Sequence, residues 1–239
     1  MALTRWTITL ALALAGAGAQ AGEWQSLFDG ETLTGWHVAA KPEDGGKAFW
    51  QVRDGAITAD SMGRPRHDYV WLVSDEEFGD FELVLQVRGY RHSPGNSGVQ
   101  FRSRYDESAG WLDGPQADIH PPTPWRTGLI YDETRETKRW IHPSLEDWKI
   151  EPSQGPTDWT WLYADEGDGW NEVRIIARGT KVTTVVNGIT ITDFDGAGIL
   201  DDAAHQAHDV GLKGHFALQL HRDDELLIQF KDIRVRALD

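Results

Sequence analysis

Apolar and polar positions alternate with period two along most of this chain, the pattern of strands that bury one face. Phe81, Leu83, Leu85 and Val87 alternate with Glu82, Val84, Gln86 and Arg88, and Val173, Ile175 and Ala177 continue the theme. Near the end, Phe216, Leu218 and Leu220 alternate with Ala217, Gln219 and His221. Asp54-Gly55 joins a predicted strand over 49–53 to one over 56–58, and Asn187-Gly188 joins 181–186 to 189–194. Both dipeptides tolerate the positive φ angles that two-residue hairpins need. In the last strand, Ile228 and Phe230 share one parity, and Ile233 and Val235 the other. A β-bulge near Lys231-Asp232 would reconcile them. Shorter strands are predicted over 69–73 and 127–131. Helical turns are expected only over 144–149 and 200–207. The segment 105–165 is rich in Pro, Trp and charge, and such loops on a rigid sandwich usually carry function. The expected fold is an all-β antiparallel jelly-roll sandwich.

Composition adds a location. Arg5 followed by an Ala- and Leu-rich run to Gly18 and then Ala19-Gln20-Ala21 reads as a signal peptide over 1–21. A single domain over 22–239 is then expected in the periplasm or outside the cell. No later segment reads as a membrane span. The chain has no cysteine, so its core must hold without disulfides. The formal net charge of −15 argues against nucleic acid and anionic membranes as partners, and leaves room for a divalent cation. Twelve tryptophans are a heavy load for 239 residues. Most should be core. Trp111, Trp125, Trp140, Trp148, Trp159 and Trp161 fall in the turn-rich region, where indole rings could serve as platforms for sugar rings.

Three strands carry unusual polar faces. In Asn96-Ser97-Gly98-Val99-Gln100-Phe101-Arg102-Ser103-Arg104, alternation puts Gln100, Arg102 and Arg104 opposite Val99 and Phe101. Gln116, Asp118 and His120 share one face of the next strand, and Gln219 and His221 share one face near the end. If these faces adjoin, they line a cleft holding an acid, a base and hydrogen-bonding groups together.

Several motifs resemble a known family. Leu27-Phe28-Asp29-Gly30…Leu33-Thr34-Gly35-Trp36, Asn96-Ser97-Gly98-Val99-Gln100-Phe101-Arg102, Gln116-Ala117-Asp118-Ile119, Tyr131-Asp132-Glu133 and Phe230-Lys231-Asp232-Ile233-Arg234 occur in the order found in the 3-keto-disaccharide hydrolase family. The resemblance implies a concanavalin-like jelly roll of two curved antiparallel sheets with a concave sugar-binding face. It also implies cleavage of 3-keto-glycosides by β-elimination, or hydration of the product. The chain departs from the commoner family pattern at 116–120, where an acid becomes Gln116, an amide becomes Asp118 and an aspartate becomes His120.

A ketone at C3 acidifies the C2 proton, so the reaction needs a base, a cation for the enolate oxygen and an acid for the leaving group. Asp118 is the first candidate for base or metal ligand, with His221 next. Arg102 is the candidate cation and Glu133 the candidate acid. Asn96, Gln100, Gln116, His120, Tyr131, Asp132 and Gln219 are candidates for substrate binding. Asp132 and Glu133 could instead pair with Arg135 or Arg139. Asp118, His120, Asp132, Glu133 and His221 include enough donors for a divalent ion but show no compact motif. The Asp201-Asp202…His205…His208-Asp209 cluster reads mainly as a solvated turn or short helix. Two other functions remain open at this level: a non-catalytic glycan-binding or interaction module, and a conventional glycoside hydrolase.

Overall fold

A computed structural model describes residues 22–122, 125–137, 139–143 and 158–239. The expected signal peptide, the helical turn over 144–149 and Trp148 lie outside the described residues. Among the described residues, two antiparallel sheets of eight strands each face one another. The first sheet contains β1 (Gln25–Ser26), β3 (Trp50–Arg53), β4 (Ala56–Asp60), β6 (Phe81–Gly89), β12 (Trp170–Arg178), β13 (Lys181–Val186), β14 (Ile189–Asp195) and β16 (Leu227–Ala237). Its order is β14-β13-β12-β6-β16-β4-β3, with β1 also on β16. The second contains β2 (Trp36–Ala40), β5 (Val70–Phe78), β7 (Ser97–Asp106), β8 (Trp111–Asp113), β9 (Pro115–Ile119), β10 (Ile130–Asp132), β11 (Arg139–His142) and β15 (Gly214–Leu220). Its order is β11-β10-β9-β7-β15-β5-β2, with β8 also on β7.

The period-two pattern explains the layer between them. Leu83, Leu85, Val173, Ile175, Phe230 and Val235 from the first sheet meet Val99, Phe101, Ile119, Phe216, Leu218 and Leu220 from the second, all buried. Both hairpins form at the predicted dipeptides, with positive φ at Asp54, Gly55, Asn187 and Gly188. The bulge in β16 forms where parity demanded it. Its register against β6 shifts between Lys231 and Arg234, and Asp232 has φ 51°. Ile228, Phe230, Ile233 and Val235 can therefore all face inward.

Some boundaries differ. The strand expected at 69–73 runs on through Phe78 as β5, and the one expected at 127–131 is only Ile130–Asp132. Thr127 and Gly128 form a turn instead, with the Gly128 carbonyl bonded by the Thr184 and Thr192 hydroxyls. The helical turn expected over 200–207 is α2 (Ala203–His208), capped by the Asp202 side chain accepting from the His205 amide. A short α1 (Pro42–Gly45), begun by a proline, was not expected.

A second bulge decides a functional question. Ser103 stands opposite His215, and Gln100 opposite Ala217, so β7 has one residue more than β15 between those pairs. Arg102 absorbs the excess with φ 51°. Simple alternation breaks there, and Arg102 turns away from the face that holds Gln100. Its guanidinium is fully buried and donates to the carbonyls of Gly79 (2.8 Å), Gly179 (2.6 Å) and Gly211 (3.2 Å) and to Asp80 (2.9 Å). Burial pulls its pKa down to about 10, against the pull of Asp80. The expectation that Arg102 clamps an enolate is corrected: this cation ties loops of the sandwich together.

Candidate functional site

The face of the second sheet turned away from the first carries a cleft of about 360 Å³. Cross-strand register assembles it. Gln116 of β9 stands opposite Gln100 of β7, and Asp118 opposite Gly98. Gln100 stands opposite Ala217 of β15, and Gln219 follows two residues later on the same face. Gly98 matters because it has no side chain. A Cβ there would come within 2.1 Å of Gln116 Cδ, so the glycine lets the Gln116 amide lie across the strand. Gln116 Nε2 then donates to Asp118 Oδ1 at 3.1 Å.

The amides of this face are buried and only partly satisfied within the protein. Gln100 and Gln219 are fully buried, and neither the oxygen nor the nitrogen of either amide has a hydrogen-bond partner. Gln116 Oε1, Asp118 Oδ2 and Asn96 Oδ1 are also buried without a hydrogen bond. Leaving a buried polar group unpaired costs about 1–3 kcal/mol. A row of amides in this state suits a ligand rich in hydroxyl and carbonyl oxygens.

Asp118 is 2 % exposed. Burial raises its carboxyl from 3.8 to about 6, opposed by Arg126, by the neighbouring His221 and by the Gln116 hydrogen bond. Arg126 Nε lies 3.4 Å from Asp118 Oδ2, an ion-pair contact without hydrogen-bond alignment. The walls are Tyr69, Asn96, Trp111, Tyr131, Glu133, Trp140, His221 and Arg222. Tyr131 meets Trp140 edge-on at 5.2 Å, and Tyr69 meets Trp111 edge-on at 5.1 Å. Burial raises the pKa of both tyrosines, and the negative charge of Glu133 adds to the effect. Both phenols are therefore protonated near neutral pH. The Glu133 main chain is fixed by its amide to the Gly114 carbonyl (3.0 Å) and by Trp111 Nε1 to its own carbonyl (2.8 Å).

Of the expected residues, Asn96, Gln116, Asp118, Tyr131, Glu133 and His221 line this cleft, with Gln100 and Gln219 beside them on the same face. Three do not join them: Arg102, Asp132 and His120. Arg102 is the buried tie described above. Asp132 is fully buried, accepting from the Thr134 amide (3.1 Å) and Thr137 hydroxyl (2.7 Å), with His205 Nε2 at 3.3 Å. Burial disfavours charge on both partners, but the ion pair with His205 and the hydrogen bonds hold Asp132 low, and Asp132 and Asp202 hold His205 high. His205 is thus an interior ion-pair partner rather than part of a solvated turn. Arg135 pairs with Asp113 and Asp106, and Arg139 with Asp202, so neither takes Asp132. His120 lies past the end of β9. Burial and Arg126 lower its ring to about 4, so it is neutral near pH 7. Arg104 sits half-exposed on Glu77 and Asp209. Among the described residues, no three His, Asp or Glu side chains converge as metal ligands.

Trp111 and Trp140 are the expected platforms that reach the cleft. Trp125 and Trp161 are buried, and Trp159 stacks on Trp125 at 4.2 Å from the solvent side. Sequence reasoning missed Arg126, Tyr69 and Arg222. Arg126 lies in an irregular loop without periodicity. Tyr69 stands just before β5, two residues from Trp71 of the same face, and that parity was the available signal.

The fold has many solved counterparts. A candidate glycosyl hydrolase from Parabacteroides distasonis ATCC 8503 aligns with TM-score 0.58 and 20% identity, over 90% of this chain and 94% of its own. A Bacillus subtilis protein of unknown function with a galectin-like fold aligns with TM-score 0.54 and 14% identity, over 92% and 96%. A structure from work on endo-acting O-glycanases of the human gut microbiota aligns with TM-score 0.54 and 13% identity, over 92% and 100%. At these identities the likeness establishes the two-sheet jelly-roll-like fold. No functionally curated protein matches the chain. The family described as the 3-keto-alpha-glucoside-1,2-lyase-like domain matches residues 23–236, nearly all of the described sandwich, and the chain belongs to that family.

Proposed function

We propose that this protein is an exported carbohydrate-active enzyme that cleaves 3-keto-glycosides by β-elimination, or hydrates the unsaturated product. The observation that carries the reading is Asp118. It is a buried carboxyl raised to about 6, accepting from the Gln116 amide and beside a guanidinium. A general base works best with a pKa near the operating pH, and desolvation is the means by which proteins tune one upward.

In this reading Asp118 takes the C2 proton of the oxidised sugar. The C–H pair forms an enolate on the C3 oxygen, and Arg126 supplies the positive charge once expected from Arg102. The enolate collapses to a C1=C2 double bond as the C3 carbonyl re-forms, the C1–O bond breaks, and Glu133, entering the step as the carboxylic acid, gives its proton to the departing oxygen. Gln100, Gln116, Gln219 and Asn96 accept and donate hydrogen bonds to hydroxyls. Tyr131, Trp111 and Trp140 flank the ring. His221, on another wall, is a second proton acceptor. The N-terminal signal-like segment supports a periplasmic or secreted location.

The test is incubation of the purified chain with a panel of 3-keto-glycosides, with and without added divalent ions, beside their non-oxidised parents. Turnover of the keto sugars alone, lost in Asp118→Asn, supports the reading. Turnover of the parents points to a conventional glycoside hydrolase. Saturable glycan binding with no turnover points to a binding module.

A further inference from the structure

Tyr69 and His221 form a connected pair at the wall of the cleft. The Tyr69 ring stacks on Trp71 (5.4 Å, 11° between planes) and meets Trp111 and His221 edge-on at 5.1 and 4.8 Å. Its hydroxyl lies 3.1 Å from His221 Nε2. On the far side of the imidazole, Nδ1 faces the Arg222 carbonyl at 3.0 Å and Asp224 Oδ2 at 3.4 Å.

These partners settle the tautomer. A carbonyl and a carboxylate can only accept, so a bare lone pair on Nδ1 would face two oxygens. Nδ1 therefore carries the hydrogen. In the neutral ring Nε2 then accepts, and the Tyr69 hydroxyl donates to it. Asp224 stays a carboxylate: burial works against its charge, but hydrogen bonds from His221 and the Asn96 amide hold its pKa below the ordinary value. The Asn96 bond is 2.7 Å and ties the same carboxylate to a residue of the cleft wall. The Tyr69 phenol, raised by burial and by Glu133, is no standing phenolate. It can pass a proton without ending charged.

We propose that Tyr69, His221 and Asp224 form a proton relay, with Tyr69 the catalytic residue that meets the substrate side and Asp224 a positioning residue. A water or sugar hydroxyl against Tyr69 gives its proton to the phenolic oxygen as the phenolic proton passes to Nε2. The donor O–H bond breaks with its electron pair left on the donor oxygen. Tyr69 ends neutral, the ring ends as imidazolium, and its positive charge faces Asp224 and the Arg222 carbonyl. Reversal returns the proton. The relay draws on the proposed carbohydrate chemistry only for the identity of the O–H.

The test has two arms on the full chain. The first reads the ring by nitrogen-15 NMR in the absence of substrate, with His221→Gln assigning the signal among nine histidines. The expected result is a protonated Nδ1 and an accepting Nε2 in the neutral ring, kept in Tyr69→Phe and shifted toward the Nε2–H tautomer in Asp224→Asn. The second measures steady-state kinetics on a 3-keto-glycoside. Tyr69→Phe should lower kcat by about 100-fold or more with KM within about threefold. Asp224→Asn should lower kcat by about 10-fold through the altered ring. A neutral wild-type ring with Nε2–H overturns the relay, as does a Tyr69→Phe enzyme that keeps a third or more of its kcat. If the wild type turns over no keto sugar, the proposed activity has failed, and the NMR arm alone decides the relay.

Discussion

Two buried polar regions lie on β7, only two residues apart, and they behave in opposite ways. Arg102 is fully buried, and its guanidinium is matched by three carbonyls and a carboxylate. Gln100 is equally buried, and both polar atoms of its amide are unmatched by the protein. Gln219, Gln116 Oε1 and Asp118 Oδ2 share that condition. Burial with every partner present serves the fold. Burial with partners missing, next to a cleft, is a cost the fold carries without a structural return. The residue type does not distinguish the two cases. A cation that looked catalytic is structural, whereas the amides expected to bind a ligand keep their polar atoms unmatched by the protein.

The comparison can be broken by substitution, and the largest effect is expected at Asp118. Asp118→Asn should cut turnover by about 10³-fold or more, in line with loss of a positioned base. Its stability profile should move the other way. The folded carboxyl binds its proton up to about 6, whereas the unfolded one releases it near 3.8. Between those values the folded state holds more protons, so wild-type stability falls as pH rises through this window and then levels off. The loss is roughly 2–3 kcal/mol. Urea melts at pH 4 and pH 8 should show this fall as the difference between the wild type and Asp118→Asn, because His120 and His205 titrate in both proteins.

On the other side of the comparison, Arg102→Met should lower stability by roughly 3 kcal/mol, because it strands three buried carbonyls. Denaturation midpoints would show it, and kcat below the transition should stay near wild type. Gly98→Ala tests the amide face without touching a polar group. The added methyl must displace Gln116, so kcat/KM should fall by about 100-fold while the fold persists, as circular dichroism would confirm. The smallest effect is expected from Gln219→Leu. Removing an unpaired buried amide should leave stability unchanged or slightly higher and weaken ligand binding by about 10-fold, measured by calorimetry.

The fold was legible because period-two alternation, Asn-Gly and Asp-Gly turns and the parity switch in β16 are local signals. They survive into the structure with shifts of a few residues. The faces of β9 and β15 were legible for the same reason, and the structure brings Gln116, Asp118 and His221 to the cleft with Gln219 on the same face. Arg102 was not, because a bulge depends on the register of the partner strand, and that register is a long-range property. Asp132 failed at a strand end, where the last residue of a three-residue strand found His205 on a distant helix. Arg126 comes from a loop without periodicity, so its approach to Asp118 emerges only from packing.

The contrast between β7's two polar residues can be measured in one titration. The Asp118→Asn protein, with nitrogen-15 in its glutamine and arginine side chains, is titrated with a 3-keto-glycoside and followed by NMR. The account predicts that the Gln100, Gln116 and Gln219 side-chain amides shift together and saturably, while the Arg102 Nε–H stays in place. Saturation of the protein with those amides unmoved, or with Arg102 as the group that shifts, would contradict it.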